Sequence, residues 1–384
     1  MVKNAFTHVI RDLKQLNYIY QMFTKRILLL GTLLLIGRQV KAQSAFSAMP
    51  HLFITPKNYV VTYTKQAPKI NGHINDPVWQ QAAWTDKFID IEGDLKPAPN
   101  LNTQMKMLWG DSCLFIAVKM EEPHLWANLT RHDAVIFNDN DFEIFIDPDG
   151  DGRDYFEIEV NQLNKIFDLF MPKPYRDRGD ALISWDTPGM QSAVQLQGTL
   201  NNPADKDTGW TVEFKIPFSS VKMGFAAGAP KEGDLWRVNF SRVEWDTAIK
   251  NGKYVKLKDA AGKKLPERNW VWSAPGIINM HAPERWGYLQ FTKSTTADKA
   301  TFTMPYADLQ KQYLWLVYYK QREYRATHQA YANNLPDLGI DAANYTINSK
   351  ENTLTVEGTK NQFIATITDG GGKTWSVDNS GALR

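Results

Sequence analysis

The stretch Asp139-Asn-Asp-Phe-Glu-Ile-Phe-Ile-Asp-Pro-Asp-Gly-Asp-Gly-Arg-Asp-Tyr-Phe-Glu-Ile-Glu-Val-Asn161 decides the fold. It reads as two strands joined by an acidic, glycine-bearing turn. Along the first, Phe142, Ile144 and Ile146 alternate with Asp141, Glu143 and Asp147. Along the second, Phe156, Ile158 and Val160 alternate with Tyr155, Glu157, Glu159 and Asn161. Strand side chains point to opposite faces with period two, so each strand has an apolar and an acidic face. Pairing as a hairpin puts at least four carboxylates on one side of a sheet. Like charges opposed across strands repel, so that face wants a cation, arginines or a polyhydroxylated ligand. The plainer alternative is the water-facing side of an ordinary sandwich hairpin.

The 384 residues suffice for two domains, or for one large domain with an appendage. A net charge of +2 with no basic block argues against a nucleic-acid binder. The 13 tryptophans suit a β-rich core and also sugar recognition, where rings stack on apolar pyranose faces; core burial is the commoner use.

Met22-Phe-Thr-Lys-Arg opens a short basic region, an apolar run covers 27–37, and Val40-Lys-Ala42 fits a small-residue cleavage site. The run is too short for a membrane span and right for a secretory signal over 22–42, cut before Gln43. Residues 1–21 resemble neither signal nor core, so the natural start is expected at Met22. No cysteine follows the run, which excludes a lipoprotein, and secretion or a periplasmic location is expected, with no membrane span after cleavage. The single Cys113 lies in an apolar strand and is expected in the core.

Outward from the hairpin, 43–58 reads as a linker. Lys69-Ile-Asn-Gly-His-Ile-Asn-Asp-Pro-Val-Trp79 reads as a turn and a short helix, N-capped by Asp76 with Pro77 at its first position; Trp79 and Trp84 pack inward. Strands follow at 104–109 and 114–120 around a Gly-Asp turn, then at 165–170, 193–200, 210–216 and 235–245. In the last, Arg237 shares a face with Asn239 and Ser241 and is a candidate counter-charge for the acidic face. Residues 250–269 read as a polar insertion, and 270–272 and 286–291 as closing strands. Many short strands and few helices indicate a mainly β fold, an antiparallel jelly-roll-like sandwich over 59–293. After a composition shift at 293, residues 306–332 lack Gly and Pro and should form one long helix. Short strands at 345–347, 354–357, 362–368 and 373–377 complete a helix plus small antiparallel sheet over 294–384.

The order of these elements resembles the family 9 carbohydrate-binding modules, in the secreted form found in Bacteroidetes. The resemblance rests on Lys69-Ile-Asn-Gly72 with Trp79, on Met107-Leu-Trp-Gly-Asp111 with Leu114-Phe-Ile-Ala-Val118, on Asn140-Asp-Phe-Glu-Ile-Phe-Ile-Asp147, and on Glu284-Arg-Trp-Gly-Tyr-Leu289. It spans about 65–293 and implies a β-sandwich that holds sugar. The family's two tryptophans that sandwich a sugar are replaced here by Phe137 and by the neighbourhood of Met280. Glu143 matches the family's acidic residue, and Glu159 stands where an arginine is usual. The resemblance also implies structural calcium.

Asp147, Asp149 and Asp151 have the spacing of a calcium loop, but the twelfth position is Ile158 rather than Glu, and the flanks are strands. An EF-hand is therefore excluded, leaving an irregular calcium site or a solvated turn. No other cofactor is required. The histidines form no metal or triad pattern, and phosphate-loop, Gly-x-Ser-x-Gly and helical zinc motifs are absent. The favoured reading is a non-catalytic binder of polysaccharide or oligosaccharide, accessory to glycoside hydrolases. Phe137, Trp270, Trp272 and Met280 would meet the sugar rings, with Trp126 or Trp185 as further platforms. Asp141, Glu143, Glu159, Asn161, Arg237 and Arg285 would hydrogen-bond it. One alternative is a protein-binding envelope module docking through the helix at 306–332. Another is a glycoside hydrolase using Glu143 with Glu157 or Glu159.

Overall fold

Period-two alternation gives each strand one apolar face, and two sheets of such strands bury those faces against each other as layers. The structure, a computed structural model, describes residues 45–222, 229–295 and 301–384, so the expected signal at 22–42 lies outside the described residues. The chain divides after Ala48; of the first part a single helical turn, Ala45–Ala48, is described. The second part, Met49–Arg384, is one unit.

Its strands are β1 (Asn58–Tyr63), β2 (Ile89–Asp90), β3 (Thr103–Trp109), β4 (Cys113–Glu121), β5 (Asp141–Asp147), β6 (Tyr155–Asn161), β7 (Ile166–Met171), β8 (Gln191–Gln197) and β9 (Gly209–Pro217). There follow β10 (Leu235–Glu244), β11 (Thr247–Lys250), β12 (Lys253–Lys256), β13 (Arg268–Val271) and β14 (Gly287–Thr292). One sheet runs β7-β6-β5-β10-β14, with β13 and then β2 paired beside the far end of β10. The other runs β3-β4-β9-β8. Strand β1 joins them, lying parallel to both β14 and β3. The antiparallel sandwich thus has a parallel seam; β1 begins at Asn58, the last residue of the expected linker, and its other residues lie in the expected sandwich, where no strand is expected before 104.

The apolar faces meet between the sheets. Phe142, Ile144 and Ile146 of β5, Phe156 and Ile158 of β6, and Phe240 of β10 pack with Met107 and Trp109 of β3, Ile116 of β4 and Phe214 of β9. The Ile70-Asn-Gly72 motif is a hook onto this core. The backbone N–H groups of Asn71 and Gly72 and the indole of Trp79 all donate to Glu213, which is fully buried on β9. Gly72 has φ +83°, and a Cβ there would stand 2.8 Å from the backbone of Val194 and Gln195. The expected helix is a 3-10 turn, Pro77–Gln81, capped by Asp76. Trp84 does not pack inward: it is half-buried, with the ammonium groups of Lys106 and Lys119 at 4.5 and 4.2 Å from its ring. The polar insertion also contains structure, since β11 and β12 pair as a hairpin.

Helix α1 (Tyr306–His328) and the sheet β15 (Asn344–Ile347), β16 (Lys350–Gly358), β17 (Phe363–Asp369) and β18 (Thr374–Asp378) follow in the expected order. The helix stops at His328, four residues short of the expected end, where Gln329 turns left-handed. Its aromatic stripe is packed, not displayed. Trp315 and Tyr318 are buried, and Arg176 lies over Trp315, Tyr318 and Tyr319 at 5.5–5.7 Å. Tyr318 donates to Asp177 and Tyr319 to Glu284. The C-terminal element therefore braces Tyr175–Asp177 and Pro283–Arg285, two turns of the sandwich.

Candidate ligand cleft

The outer face of the β5–β6 hairpin is not a water-facing sheet surface. Both strands are buried along their whole length, because the turn Ile136–Asn138, the segment around Tyr175 and the loop around Met280 fold over them. Between these covers a cleft of about 470 Å³ remains, with Glu143, Phe145, Glu157 and Glu159 at its floor and Phe137 and Tyr175 at its rim. The strand register places Glu143 directly opposite Glu159 and Phe145 opposite Glu157.

The rim is apolar and open: Val135, Phe137, Tyr175, Ile183 and Ile278 all line the cleft and are exposed. Phe137 is fixed from two sides. Its N–H donates to the Glu159 carboxylate (2.8 Å), and its carbonyl accepts from the Trp245 indole (2.8 Å). On the opposite wall, His281 Nδ1 lies 2.8 Å from the Tyr155 hydroxyl, and the Tyr175 ring stands edge-on at 4.5 Å. Burial, then the positive charge of Arg176, lowers the His281 pKa to about 4, so the imidazole is neutral. In the tautomer that accepts from Tyr155, its Nε2–H faces Glu157 Oε2, 3.7 Å away.

The floor is electrostatically unusual. Burial, reinforced by mutual repulsion, pushes Asp141, Glu157 and Glu159 well above the ordinary carboxylate range, and burial pushes Glu143 up to about 7. Asp141 Oδ2 and Glu157 Oε2 have no hydrogen-bond partner. Among the described residues, no lysine or arginine forms an ion pair with these four groups; His281 alone comes within that distance. Such a floor holds protons, or accepts hydrogen bonds or positive charge from a ligand.

Of the residues expected at the site, Phe137, Glu143, Glu159 and Met280 come together in the cleft. Asp141 lies just behind it, with one oxygen within 4.8 Å of ligand atoms of Glu143 and Glu159. Asn161 is fully buried and bonds Leu129, Asp139, Leu163 and Lys165, so it shapes the loop rather than the cleft. Arg237 is not the counter-charge of the acidic floor. It stacks on Tyr288 at 3.8 Å, donates to the Trp286 carbonyl and lies 3.6 Å from Asp308 of α1. Arg285 is spent on the Leu52 and Pro275 carbonyls. Trp270 and Trp272 belong to the inter-sheet core, as apolar strand residues usually do, and offer no platform. Trp126 is buried with Val243 and Trp245, and Trp185 packs on Phe156. Tyr175 and His281 are not among the expected saccharide contacts, and Glu157 is expected only in the glycoside hydrolase alternative. Glu157 was legible from the alternation alone; the other two come from segments without a period.

Asp147, Asp149 and Asp151 do converge, with ligand atoms within 4.8 Å of one another. The Asp147 oxygens accept from the Gly150 and Gly152 N–H groups, both at 2.9 Å. Burial and the charges of Asp149 and Asp151 raise the Asp147 pKa. This all-carboxylate set fits a hard cation such as calcium.

The profile of the family described as "Carbohydrate family 9 binding domain-like" matches residues 70–293. The fold is similar to that of a family 9 carbohydrate-binding module from Caldicellulosiruptor kristjanssonii, solved with cellotriose and with glucose. Each comparison gives 16% identity, 65% of this chain and 100% of that chain covered, and a TM-score of 0.38. It is also similar to a candidate carbohydrate-binding protein from Bacteroides uniformis, with 17% identity, 62% and 100% covered, and a TM-score of 0.46. No curated protein matches the sequence.

Proposed function

The chain belongs to the carbohydrate family 9 binding domain-like family, and from that premise we propose that it binds a saccharide in the β5–β6 cleft without cleaving it. The observation that carries this reading is the pairing of an exposed apolar rim with a buried carboxyl floor. Rings at Phe137 and Tyr175 suit the apolar faces of a pyranose, and the floor carboxyls accept from its hydroxyls. A saccharide that also carries an ammonium group would meet floor carboxyls with which no lysine or arginine among the described residues forms an ion pair.

Hydrolysis finds less support. A glycosidase needs two carboxyl groups about 5–10 Å apart, one protonated and one ionised. Here Asp141, Glu143 and Glu159 crowd within 4.8 Å, and all are shifted in the same direction. The protein-docking alternative relied on an exposed stripe on α1, and that stripe is packed, with Trp315 and Leu316 buried and Tyr313 and Tyr319 half-buried.

The proposal extends to a secreted or periplasmic protein, accessory to glycoside hydrolases, with calcium at Asp147, Asp149 and Asp151. Among the described residues no helix is long and apolar enough to cross a membrane. The test is a glycan array, with amino sugars included, probed with and without calcium and followed by titration of each hit. A hit weakened by Phe137→Ala and by Glu143→Gln supports the reading. Binding indifferent to both variants moves the site, and absence of any hit defeats the sugar reading.

A further inference from the structure

Outside the cleft, a second group of ligating side chains meets at the edge strand β7. His132 Nε2 lies 2.7 Å from Asp186 Oδ1, 3.4 Å from Asp133 Oδ1 and 3.9 Å from Asp168 Oδ1. One ligand atom from each of the four residues falls within 4.8 Å of the others. Exposed acidic groups gather without purpose on many surfaces, but Asp168 is not one of them. It is 1% exposed, and its Oδ1, the atom nearer His132, has no hydrogen-bond partner. Its Oδ2 is held by both the N–H and the hydroxyl of Thr187, at 2.6 Å each. A carboxylate oxygen left bare in the interior and aimed at an imidazole is costly unless something else satisfies it.

We propose that His132, Asp133, Asp168 and Asp186 bind a divalent transition-metal ion, zinc by the chemistry of the set. Two ligands each about 2.1 Å from a tetrahedral ion stand about 3.4 Å apart, which the observed separations bracket. An imidazole among carboxylates favours zinc over calcium or magnesium, whose ligands are oxygens alone. Thr187 supplies the outer contact that orients a metal-bound carboxylate. The site also has a mechanical consequence. His132 and Asp133 precede the rim residues Val135 and Phe137, and Asp186 follows the rim residue Ile183. An ion there ties two loops of the cleft to β7. The assignment of the metal site does not depend on what the cleft binds.

The experiment is calorimetric titration of the chelator-stripped protein with zinc chloride, with calcium chloride in parallel, and thermal melts of the same samples. The expected result is one zinc site of micromolar or tighter affinity and a higher melting temperature with zinc. His132→Ala and Asp186→Asn change exposed residues and should each weaken zinc at least tenfold, while their metal-free melting temperatures match the stripped wild type. Asp149→Asn, in the other acidic loop, should leave zinc affinity unchanged. Failure to bind zinc, or wild-type zinc affinity in His132→Ala, overturns the proposal.

Discussion

Raising the pH should destabilise this protein through the floor of its own cleft. Glu143 lies 5% exposed on β5, opposite Glu159, and burial lifts its pKa from an ordinary 4.5 to about 7. Between those values the native state keeps a proton that the unfolded chain has lost. The stability contributed by the neutral carboxyl is therefore complete below about pH 4.5 and is lost as pH rises through 7. At about 1.4 kcal/mol for each tenfold change in proton affinity, the loss amounts to about 3 kcal/mol. Asp141, Glu157 and Glu159 are displaced in the same direction by the same cause and add to it. Glu143→Gln keeps the shape of the side chain and removes its titration. Urea unfolding of both proteins from pH 4.5 to 8 reads the effect; because the Glu143 charge also helps raise Asp141, Glu157 and Glu159, its removal relieves them as well and moves the two proteins apart in the same direction. Across that range the variant should gain about 3 kcal/mol relative to wild type. A gap that stays constant with pH, or that moves in favour of wild type, would refute the reasoning.

Three further outcomes follow from the geometry. Arg176→Ala leaves Glu284 buried without its 2.8 Å partner and removes a bond to the His281 carbonyl, so unfolding free energy should drop by about 3–5 kcal/mol in denaturant melts. Gly72→Ala puts a Cβ against the β8 backbone at positive φ; a loss of at least about 2 kcal/mol is expected, with refolding yield and melting temperature as readouts. Phe137→Ala removes a rim ring that is 36% exposed, so it should leave the melting temperature nearly unchanged while weakening a saccharide ligand about tenfold by calorimetry, or about 1.4 kcal/mol.

The period-two stretches were legible in the sequence, and they carried most of the fold. The β5–β6 hairpin, β10, α1 and the C-terminal strands lie within a few residues of where alternation or helix-forming composition put them. Strand β1 escaped because its pairing is parallel and joins sequence-distant strands, which no local turn announces. The acidic face was legible as a face, but its burial was not. The covers over it, around Phe137, Tyr175 and Met280, are short turns whose position is fixed by tertiary contacts such as Phe137 N–H to Glu159 and Arg176 to Glu284. Arg237 illustrates the limit. Alternation placed it correctly on the outer face, yet its partners come from α1 and from Tyr288, so it never reaches the carboxyls it was expected to balance. Tryptophan was similarly ambiguous: the same residue type serves core and platform, and Trp270 and Trp272 went to the core.

The central claim is that a saccharide sits between the apolar rim and the carboxyl floor of the β5–β6 cleft. Hydrogen–deuterium exchange of the protein, with and without a saccharide that it binds, tests this most directly. The account predicts slowed exchange in three segments, 134–138, 174–183 and 278–282, with the four-stranded C-terminal sheet unchanged. Protection confined to any other surface would contradict it.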